Sequence, residues 1–383
     1  MRPDLPAAIA SALERCERPS LVFDLARIDA NLAAIARAAA ASGVTALFAA
    51  KSFPHPAVRA LAAAHLAGFD AASPAEVAEV AGLVGRGAAG ACGPAVLSVA
   101  DPSGRALAAA AGWRGRLIAS CETIAQVHAA PARAEIAIRL SASLTGRDPA
   151  IGAVQDGTGH RRSRFGLDVD PARRSAAIAE LARAAHPRPV GFHVHHGAVA
   201  ATTGERFAAT ARALLAAAAE AAAEAAAEAE VVPRFLNLGG AWHAIGDLSA
   251  ALAELRAALP PALEILIEPG RCIAEAAGFA SSRIAVAREL DDRALRVLEL
   301  SRSCHLRWSQ PELVAPPPRT GAGRTTVFVG PTCYEDDVLG EWTVEPARFP
   351  AGGRAVLRHI TGYAVAWNTG FGGVAPADVV MID

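Results

Sequence analysis

The basic side chains of this 383-residue chain are 36 arginines and a single lysine, Lys51. Lys51 ends an apolar stretch, residues 46–50, of the kind that forms a buried strand. Arginine can replace lysine wherever only a positive charge is needed, but it cannot lose a proton and form an imine with a carbonyl compound. The composition suggests a bias that replaces surface lysines with arginines, and the alternative is that Lys51 is a chance survivor of that bias. The position of Lys51 favours a reactive amine.

Two later segments contain further residues that could do chemistry. Gly239 and Gly240 form either a plain tight turn or, before a helix, a backbone site for phosphate. Arg271 could add a bidentate phosphate contact, although a lone arginine is more often a surface residue. Glu268 ends an apolar run and needs a partner if it is buried. A structural arginine is the common partner, and a protonated pyridine nitrogen is another.

The elements that must position these residues are apolar runs that alternate with alanine-rich helical stretches. Helix candidates such as Pro56–His65 and Pro74–Val84 separate most of the runs. Repeated strand–helix–strand order is typical of parallel strands with right-handed crossovers. Eight such units predict an α/β fold with a closed (β/α)8 TIM barrel, and an open doubly wound sheet is the alternative. The predicted strands are Ala46–Lys51, Phe69–Ala72, Ala88–Cys92, Leu117–Ser120, Glu135–Leu140, Val190–His195, Phe235–Leu238 and Ile265–Glu268.

The residues that could do chemistry lie where the predicted strands end. Lys51 closes the first strand, Asp70 lies in the second and His195 closes the sixth. The glycine pair follows the seventh strand, and the segment from Glu268 to Arg271 follows the eighth. In β/α barrels the carboxyl ends of the strands hold the active site, and the loops after the last two strands commonly bind phosphate. The arrangement therefore predicts one site at the barrel mouth.

After residue 275 the sequence changes to β-type runs with little helix between them. We predict the barrel domain over residues 26–275 and a second, C-terminal all-β domain over residues 276–383, joined by residues 1–25. The early segment Ser20–Asp24 could join either domain. Pro311–Thr320 is predicted to be a proline-rich loop. The predicted strands of this domain are Ser281–Val286, Leu295–Leu300, Thr325–Val329 and Ala355–Ile360.

The composition excludes several classes of function. A formal net charge of −1 gives no general attraction to nucleic acid or to an anionic membrane. The six cysteines show no zinc-ligand spacing, so no metal site is predicted, and their dispersal favours a reducing compartment. Neither a signal pattern nor an apolar run of membrane-spanning length is recognisable. We predict a soluble cytoplasmic protein.

Eight ordered motifs match one enzyme family. They are Phe48-Ala-Ala-Lys51, Gly68-Phe-Asp-Ala-Ala-Ser73, Ser163-Arg-Phe-Gly166, Gly191-Phe-His-Val-His-His-Gly197, Leu236-Asn-Leu-Gly-Gly240, Glu268-Pro-Gly-Arg271, Gly330-Pro-Thr-Cys333 and Gly362-Tyr363. Over residues 19–374 the chain resembles the fold-type III pyridoxal-phosphate decarboxylases, which act on diaminopimelate, ornithine and carboxynorspermidine. Residues 337–341 and 368–374 look most like the carboxynorspermidine branch.

The resemblance implies pyridoxal 5'-phosphate (PLP) as the cofactor, with Lys51 holding it as an internal aldimine. Glu268 would keep the ring nitrogen protonated, and His195 would stack on the ring face. The other implied cofactor-binding residues are Asp70, Gly239, Gly240, Arg271 and Tyr363, of which the last four would bind the phosphate.

The resemblance also implies a two-fold homodimer in which the active sites are shared between subunits. Cys333 would reach the active site of the partner subunit and protonate the carbanion after carbon dioxide leaves. Arg164 would pair across the interface with the partner subunit's Asp337.

The residue type at position 268 favours decarboxylation. Loss of carbon dioxide leaves an electron pair that a ring with a protonated nitrogen accepts well, and a carboxylate favours that protonated form. An arginine there would suit a racemase. We therefore predict an amino-acid decarboxylase, a PLP-dependent carboxy-lyase that releases CO2. The alternatives are an amino-acid racemase, carboxynorspermidine decarboxylase proper in polyamine biosynthesis, and a non-catalytic PLP-binding barrel.

Some positions depart from the family pattern. Tyr334 replaces the glutamate that follows the cysteine in diaminopimelate decarboxylases, and Arg307 lies in the loop where carboxynorspermidine relatives carry an aspartate. An arginine suits a substrate with a distal carboxylate or a neutral group. Glu335 could still contact an amine, and Arg307 facing solvent is the alternative, so the substrate stays open. On the cofactor side, Asn237 and Ala241 replace the usual aspartate and third glycine.

Overall fold

The structure, a computed structural model, describes residues 5–84, 96–141, 165–167, 171–195, 204–228, 231–316 and 323–383. The chain divides into two units. We call the first the barrel unit; it contains Leu32–Lys51 and Arg59–Gly270. We call the second the β-unit; it contains Met1–Asn31, Ser52–Val58 and Arg271–Asp383.

The described helices and strands follow the alternation that the sequence predicts. The helices are α1 (Ala7–Arg15), α2 (Leu25–Ala41), α3 (Pro56–His65), α4 (Pro74–Val84), α5 (Arg105–Ala109), α6 (Ile124–Ala129), α7 (Pro171–Ala185), α8 (Gly204–Glu228), α9 (Leu248–Ala258), α10 (Arg302–His305) and α11 (Tyr363–Ala366). The strands of the barrel unit are β2 (Val44–Ala49), β3 (Gly68–Ala71), β4 (Val96–Val99), β5 (Leu117–Cys121), β6 (Glu135–Leu140), β7 (Val190–Val194), β8 (Phe235–Asn237) and β9 (Glu264–Ile267). The strands of the β-unit are β1 (Ser20–Asp24), β10 (Gly278–Glu289), β11 (Ala294–Leu298), β12 (Glu312–Ala315), β13 (Arg324–Val329), β14 (Val338–Val344), β15 (Arg354–Arg358) and β16 (Asp378–Ile382).

The barrel unit is a closed barrel of eight parallel strands, β2 to β9 in chain order. Strand β2 pairs on one side with β3, where Leu47 lies opposite Gly68, and on the other side with β9, where Val44 lies opposite Ile265. Six strands contribute to one buried apolar cluster inside the barrel. Its members are Leu47, Val96, Ile118, Ala137, Phe235 and Leu266. The predicted (β/α)8 barrel is confirmed, and the open sheet is excluded.

The third barrel strand is not where the sequence analysis placed it. The predicted segment, Ala88–Cys92, lies outside the described residues, and the strand that pairs between β3 and β5 is Val96–Val99. The prediction was wrong because it followed an apolar count in an alanine- and glycine-rich run. Both residue types are poor strand formers, whereas the observed strand contains two valines.

The longest helix, α8, shows how alanine can cover a barrel. Ala218, Ala222 and Ala225 are buried, while Glu220 and Glu224 are exposed. This spacing puts the alanines on one helical face and the acids on the opposite one. No helix in the described part of the chain is both long and apolar enough to span a bilayer.

The β-unit is built on an eight-stranded sheet. Six strands run in the order β12–β15–β10–β11–β13–β14, and β1 pairs with both β10 and β16. Ser20–Asp24 therefore belongs to this sheet, a question that the sequence left open. The predicted loop Pro311–Thr320 was wrong in part, because Glu312–Ala315 pairs with β15 as an edge strand beside the prolines. Helix α1 packs Ile9 and Leu13 into an apolar cluster with β1.

Candidate active site

A lysine–aspartate pair lies at the carboxyl end of β2 and β3. Lys51 lies in a short 3-10 turn, Ala50–Ser52, directly after β2. Its Nζ donates a hydrogen bond to Asp70 Oδ2 at 3.1 Å. Asp70 is fully buried on β3, and its Oδ1 accepts no hydrogen bond from the described residues. The pair therefore holds the amine beside a carboxylate that keeps spare acceptor capacity.

Glu268 follows β9 and is buried, with 2% of its surface exposed. Its Oε1 accepts a hydrogen bond from Asn237 Nδ2 at 2.6 Å and a longer one from Ser98 Oγ at 3.4 Å. Burial is the main cause that raises the pKa of Glu268 to about 7. The charge of Asp70 adds to that rise, while the charge of Lys51 opposes it. The carboxyl group can therefore gain or lose a proton near neutral pH.

Asn237, which replaces the usual aspartate of the family, makes two hydrogen bonds in this site. Its Oδ1 accepts a hydrogen bond from the backbone N–H of Gly239 at 2.9 Å, while its Nδ2 donates to Glu268. An aspartate has no donor for the second contact and would add a third carboxylate. The asparagine thus shapes the glycine turn and stabilises the ionised glutamate together.

The turn after β8 leaves no room for side chains. Gly239 has a φ of +62°, which favours glycine. A Cβ at Gly239 would lie 2.7 Å from His195 Cδ2, and one at Gly240 would lie 3.2 Å from His195 Nε2. The bare backbone of the glycine pair therefore packs directly on the imidazole of His195, which is partly buried.

Three further residues of this mouth were missed by the sequence analysis. His193 is buried on β7, with Nδ1 2.8 Å from Ser120 Oγ and Nε2 4.0 Å from Glu268 Oε1. It is two residues before His195, and this spacing, which puts both on one face of a strand, was the available signal. Arg139 on β6 lies beside His193 in register, with its guanidinium 4.6 Å above the Phe165 ring.

The third missed residue is Glu76 in the first turn of α4. Its Oε2 accepts a hydrogen bond from the backbone N–H of Ala72 at 2.8 Å, and Ser73 Oγ accepts one from the backbone N–H of Glu76. The Ser73-x-x-Glu76 spacing is a helix-start signature. Burial raises the pKa of Glu76, the charge of Lys51 lowers it and that of Asp70 raises it. Three carboxyl groups therefore interact electrostatically with the single amine.

In the β-unit, Arg271 begins a 3-10 turn, Arg271–Ala274, and Tyr363 begins α11. Partial burial lowers the pKa of Arg271, and its electrostatic interaction with Tyr363 opposes that change. The Tyr363 ring packs edge-on against Trp308, with 4.8 Å between ring centroids. Arg271 and Tyr363, the two predicted phosphate ligands of this unit, are therefore close enough to affect each other.

The predicted substrate residues lie on an exposed aromatic surface of the β-unit. Arg307 places its guanidinium carbon 4.6 Å above the Trp367 ring. Tyr334 is 51% exposed and packs against Phe371. A hydrogen bond to Asp336 raises the pKa of Tyr334. The neighbouring Cys333 and Glu335 are also exposed on this subunit.

Asp337, by contrast, is buried and held within its own chain. Its carboxylate accepts hydrogen bonds from the hydroxyls of Ser301 and Thr332 and from the backbone N–H of Arg302 at 2.7 Å. Arg164, its predicted partner across an interface, lies outside the described residues.

Comparisons with known proteins agree with the barrel and its β-unit. The family described as "Pyridoxal-dependent decarboxylase, pyridoxal binding domain" matches residues 25–275. Among solved structures, the arginine decarboxylase of Paramecium bursaria Chlorella virus bound to agmatine is 17% identical, with a TM-score of 0.77, covering 99% of this chain and 100% of that chain. The lysine/ornithine decarboxylase of Vibrio vulnificus complexed with cadaverine is 19% identical, with a TM-score of 0.72 and coverage of 99% and 100%.

The lysine decarboxylase of Selenomonas ruminantium is 17% identical, with a TM-score of 0.69, covering 99% of this chain and 96% of that chain. A search of curated proteins finds no match. At these identities the solved structures show the shared fold, and the match over residues 25–275 carries the chemistry.

Proposed function

The chain belongs to the pyridoxal-dependent decarboxylases and is a PLP-dependent amino-acid decarboxylase, in which we propose that Lys51, Asp70 and Glu268 form the cofactor-activating centre. One observation carries this proposal. The chain's single side-chain amine contacts a fully buried carboxylate, and its charge acts on a second buried carboxyl, Glu268. A lysine that served only as a positive charge would not need such surroundings. The other positive side chains of this composition are arginines, so a purely structural cation at this position could have been arginine too.

The residues of the barrel mouth fit PLP in three respects. Lys51 supplies the amine that the aldehyde requires. Burial raises the pKa of Glu268 to about 7, so its carboxyl group is matched to a pyridine nitrogen that shares its proton. The turn at Gly239 and Gly240 carries no Cβ, so a phosphate group could approach its backbone closely, although the Gly239 N–H already donates to Asn237 Oδ1.

When bound, PLP supplies an aldehyde that condenses with amines and a ring that accepts the electron pair released with carbon dioxide. The chain's own residues prepare that chemistry. Asp70 accepts a hydrogen bond from Lys51 and positions its Nζ. Glu268 holds the ring-nitrogen proton, and the hydrogen bond from Asn237 keeps its carboxylate oriented. The imidazole of His195 packs on the glycine pair and would cover one face of the PLP ring.

The β-unit supplies the remaining roles in this proposal. Arg271 and Tyr363, which lie close enough for the tyrosine to affect the pKa of the arginine, bind phosphate. Cys333 acts in the active site of the partner subunit of a homodimer, where its thiol returns a proton to the carbon that lost carbon dioxide. Its exposure on its own subunit is consistent with that role.

A matched pair of variants at Lys51 tests the cofactor assignment. Lys51→Ala removes the amine, whereas Lys51→Arg keeps the charge beside Asp70 but cannot form a carbon–nitrogen double bond. We expect both variants to lose the visible absorbance of lysine-bound PLP and the release of carbon dioxide, with Lys51→Arg unfolding at the same temperature as the wild type. Normal absorbance in either variant would overturn the proposal.

Shared active sites predict complementation between two inactive variants. In a random mixture of Lys51→Ala and Cys333→Ala subunits, half of the dimers are mixed and each of these holds one intact site. Decarboxylation should therefore recover to about a quarter of the wild-type rate. Recovery of no activity on mixing, with subunit exchange verified by mass spectrometry, would count against a contribution of Cys333 in trans.

For the substrate, we propose an amino acid whose distal group is a carboxylate or is neutral. Arg307 and the exposed rings around it supply one cation and several apolar faces. The relatives named above hold agmatine and cadaverine, which are cationic. We expect acidic or neutral amino acids to exceed lysine, arginine and ornithine in kcat/KM, and Arg307→Glu to reduce that preference about 10- to 100-fold. Preference for ornithine or carboxynorspermidine would contradict this proposal.

A further inference from the structure

His193 lies on β7, between β6 and β8, and the proposed function gives it no role. It lies in register between Arg139 on β6 and Asn237 on β8, so the three residues form one row across neighbouring strands. Only 1% of its surface is exposed. A histidine buried this deeply needs partners for both ring nitrogens.

One ring nitrogen has such a partner and the other does not. Nδ1 lies 2.8 Å from Ser120 Oγ, a normal hydrogen-bond distance. Nε2 makes no hydrogen bond to any described residue and lies 4.0 Å from Glu268 Oε1. If the Ser120 hydroxyl donates to Nδ1, the ring proton is on Nε2. A movement of about 1 Å would then give Glu268 a third donor besides Asn237 and Ser98.

The charged groups around this pair come from several strands. Asp70 on β3 and Lys51 after β2 act on Glu268 with opposite signs, and Arg139 on β6 acts on it as a cation. Burial, followed by the charges of Arg139, His195 and Lys51, lowers the pKa of His193 well below its ordinary value. The imidazole is therefore neutral, so it can act on Glu268 only through the direction of its single N–H.

Building on the proposed role of Glu268, we propose that Ser120 and His193 form a positioning pair that directs the Nε2–H of His193 at the Glu268 carboxylate. The contact keeps Glu268 ionised and leaves the shared proton on the cofactor's ring nitrogen. Without it, the proton moves toward the carboxyl group, because the buried Asp70 charge disfavours a second carboxylate beside it. His193 thus sets how strongly the ring withdraws electrons.

Two substitutions at one position separate this role from packing. In His193→Gln the amide nitrogen can take the place of Nε2, whereas in His193→Asn it falls near Nδ1 and the donor toward Glu268 is lost. The readout is the 15N NMR shift of the ring nitrogen in holoenzyme reconstituted with labelled PLP, which reports the location of the shared proton. Glu268→Gln provides the reference for an unprotonated nitrogen, and kcat is measured alongside.

We expect His193→Asn to move the nitrogen signal toward the Glu268→Gln position and to lower kcat about tenfold, while His193→Gln stays near the wild type. Ser120→Ala, which fills no new volume, should shift the signal in the same direction by less, and it carries the test if His193→Asn fails to fold. A signal unchanged in His193→Asn, or in Ser120→Ala where that variant replaces it, overturns the inference. If Glu268→Gln itself leaves the signal unchanged, the proposed role of Glu268 fails instead.

Discussion

The amino end of the barrel pairs its charged side chains where water still reaches them, whereas the carboxyl end buries its acids. At the amino end, Arg116 precedes β5 and donates two hydrogen bonds of 2.9 Å to Glu135, at the start of β6. It donates a third, of 2.7 Å, to Glu264 at the start of β9. Thr45 Oγ1 also donates to Glu264. Each of these side chains is between a fifth and a third exposed, so water shares the cost of burying charge.

At the carboxyl end of the barrel, Asp70 and Glu268 are almost completely buried, and the nearby imidazole of His193 is neutral. Lys51 is the amine that acts on both acids. Burying two acids together destabilises a fold unless something binds between or beside them. The two ends of the barrel therefore serve different purposes. A partly exposed ion-pair network supports barrel closure, whereas buried acids are retained for chemistry.

The largest effect is expected from a comparison of two glutamates on one short segment, because Glu264 begins β9 and Glu268 directly follows it. Glu268→Gln cannot hold the ring nitrogen's proton, so we expect decarboxylation to slow by about 10²- to 10³-fold without a lower melting temperature. Glu264→Gln, the matched control, should leave the rate unchanged and lower the melting temperature. Steady-state CO2 release and thermal unfolding measure both. Equal losses of rate in the two variants would remove the distinction between the ends.

A pH dependence should distinguish the two ends next. Without cofactor, the folded state raises the pKa of Glu268 from 4.5 to about 7. Between these values the folded chain binds more protons than the unfolded chain, so this group's contribution to stability falls as pH rises. The free energy of unfolding of the cofactor-free wild type, relative to Glu268→Gln, should decrease by about 3 kcal/mol from pH 4.5 to pH 7.

Bound PLP offers Glu268 a partner, so the same comparison in holoenzyme should be nearly flat. Denaturant titrations at a series of pH values, with and without PLP, measure both differences. A difference that is flat in the cofactor-free protein would mean that Glu268 is solvated, and it would contradict the burial of acids at the carboxyl end.

The positions of most strands and of the residues that follow them could be predicted from the sequence. The contacts between side chains on different strands could not. Glu135–Leu140 and Pro56–His65 have the predicted bounds, because apolar runs flanked by turn residues define them locally. Lys51 and Glu268 could be recognised because a lone amine and a strand-ending acid are unusual wherever they lie. Their placement at one mouth follows from the parallel order of the strands.

The contacts that tune the site depend on closure of the barrel and had no local signal. Ser98 and Glu268 are 170 positions apart, and Asn237 reaches the same carboxylate from a third strand. In the sequence Asn237 is only a departure from the family pattern, whereas in the fold its amide nitrogen lies 2.6 Å from Glu268 Oε1. Asp337 was predicted at an interface, yet its hydrogen bonds within the chain follow from β13 and β14 folding back on each other.

A smaller effect is expected from breaking the ion pairs at the amino end of the barrel. Arg116→Met leaves Glu135 and Glu264 partly buried without their cation, and we expect a loss of about 1–3 kcal/mol in unfolding free energy, reduced by their partial exposure. Arg116→Lys keeps the charge but not the bidentate contact and should lose less. Denaturant unfolding measures stability, and CO2 release per folded molecule should stay constant. A fall in that specific rate would show that the two ends are coupled.

The smallest effect tests how tightly the carboxyl end is shaped. Gly239→Ala introduces a side chain at a φ of +62° and 2.7 Å from His195 Cδ2, which costs about 1–2 kcal/mol and shifts the imidazole. We expect PLP to dissociate several-fold more readily, as measured by titration of its absorbance. Gly246→Ala is the matched control on the same segment, because a Cβ there meets nothing within 4 Å. If both variants bind PLP equally well, then the turn tolerates a side chain, and the bare backbone after β8 is an accident of the turn and no phosphate cradle.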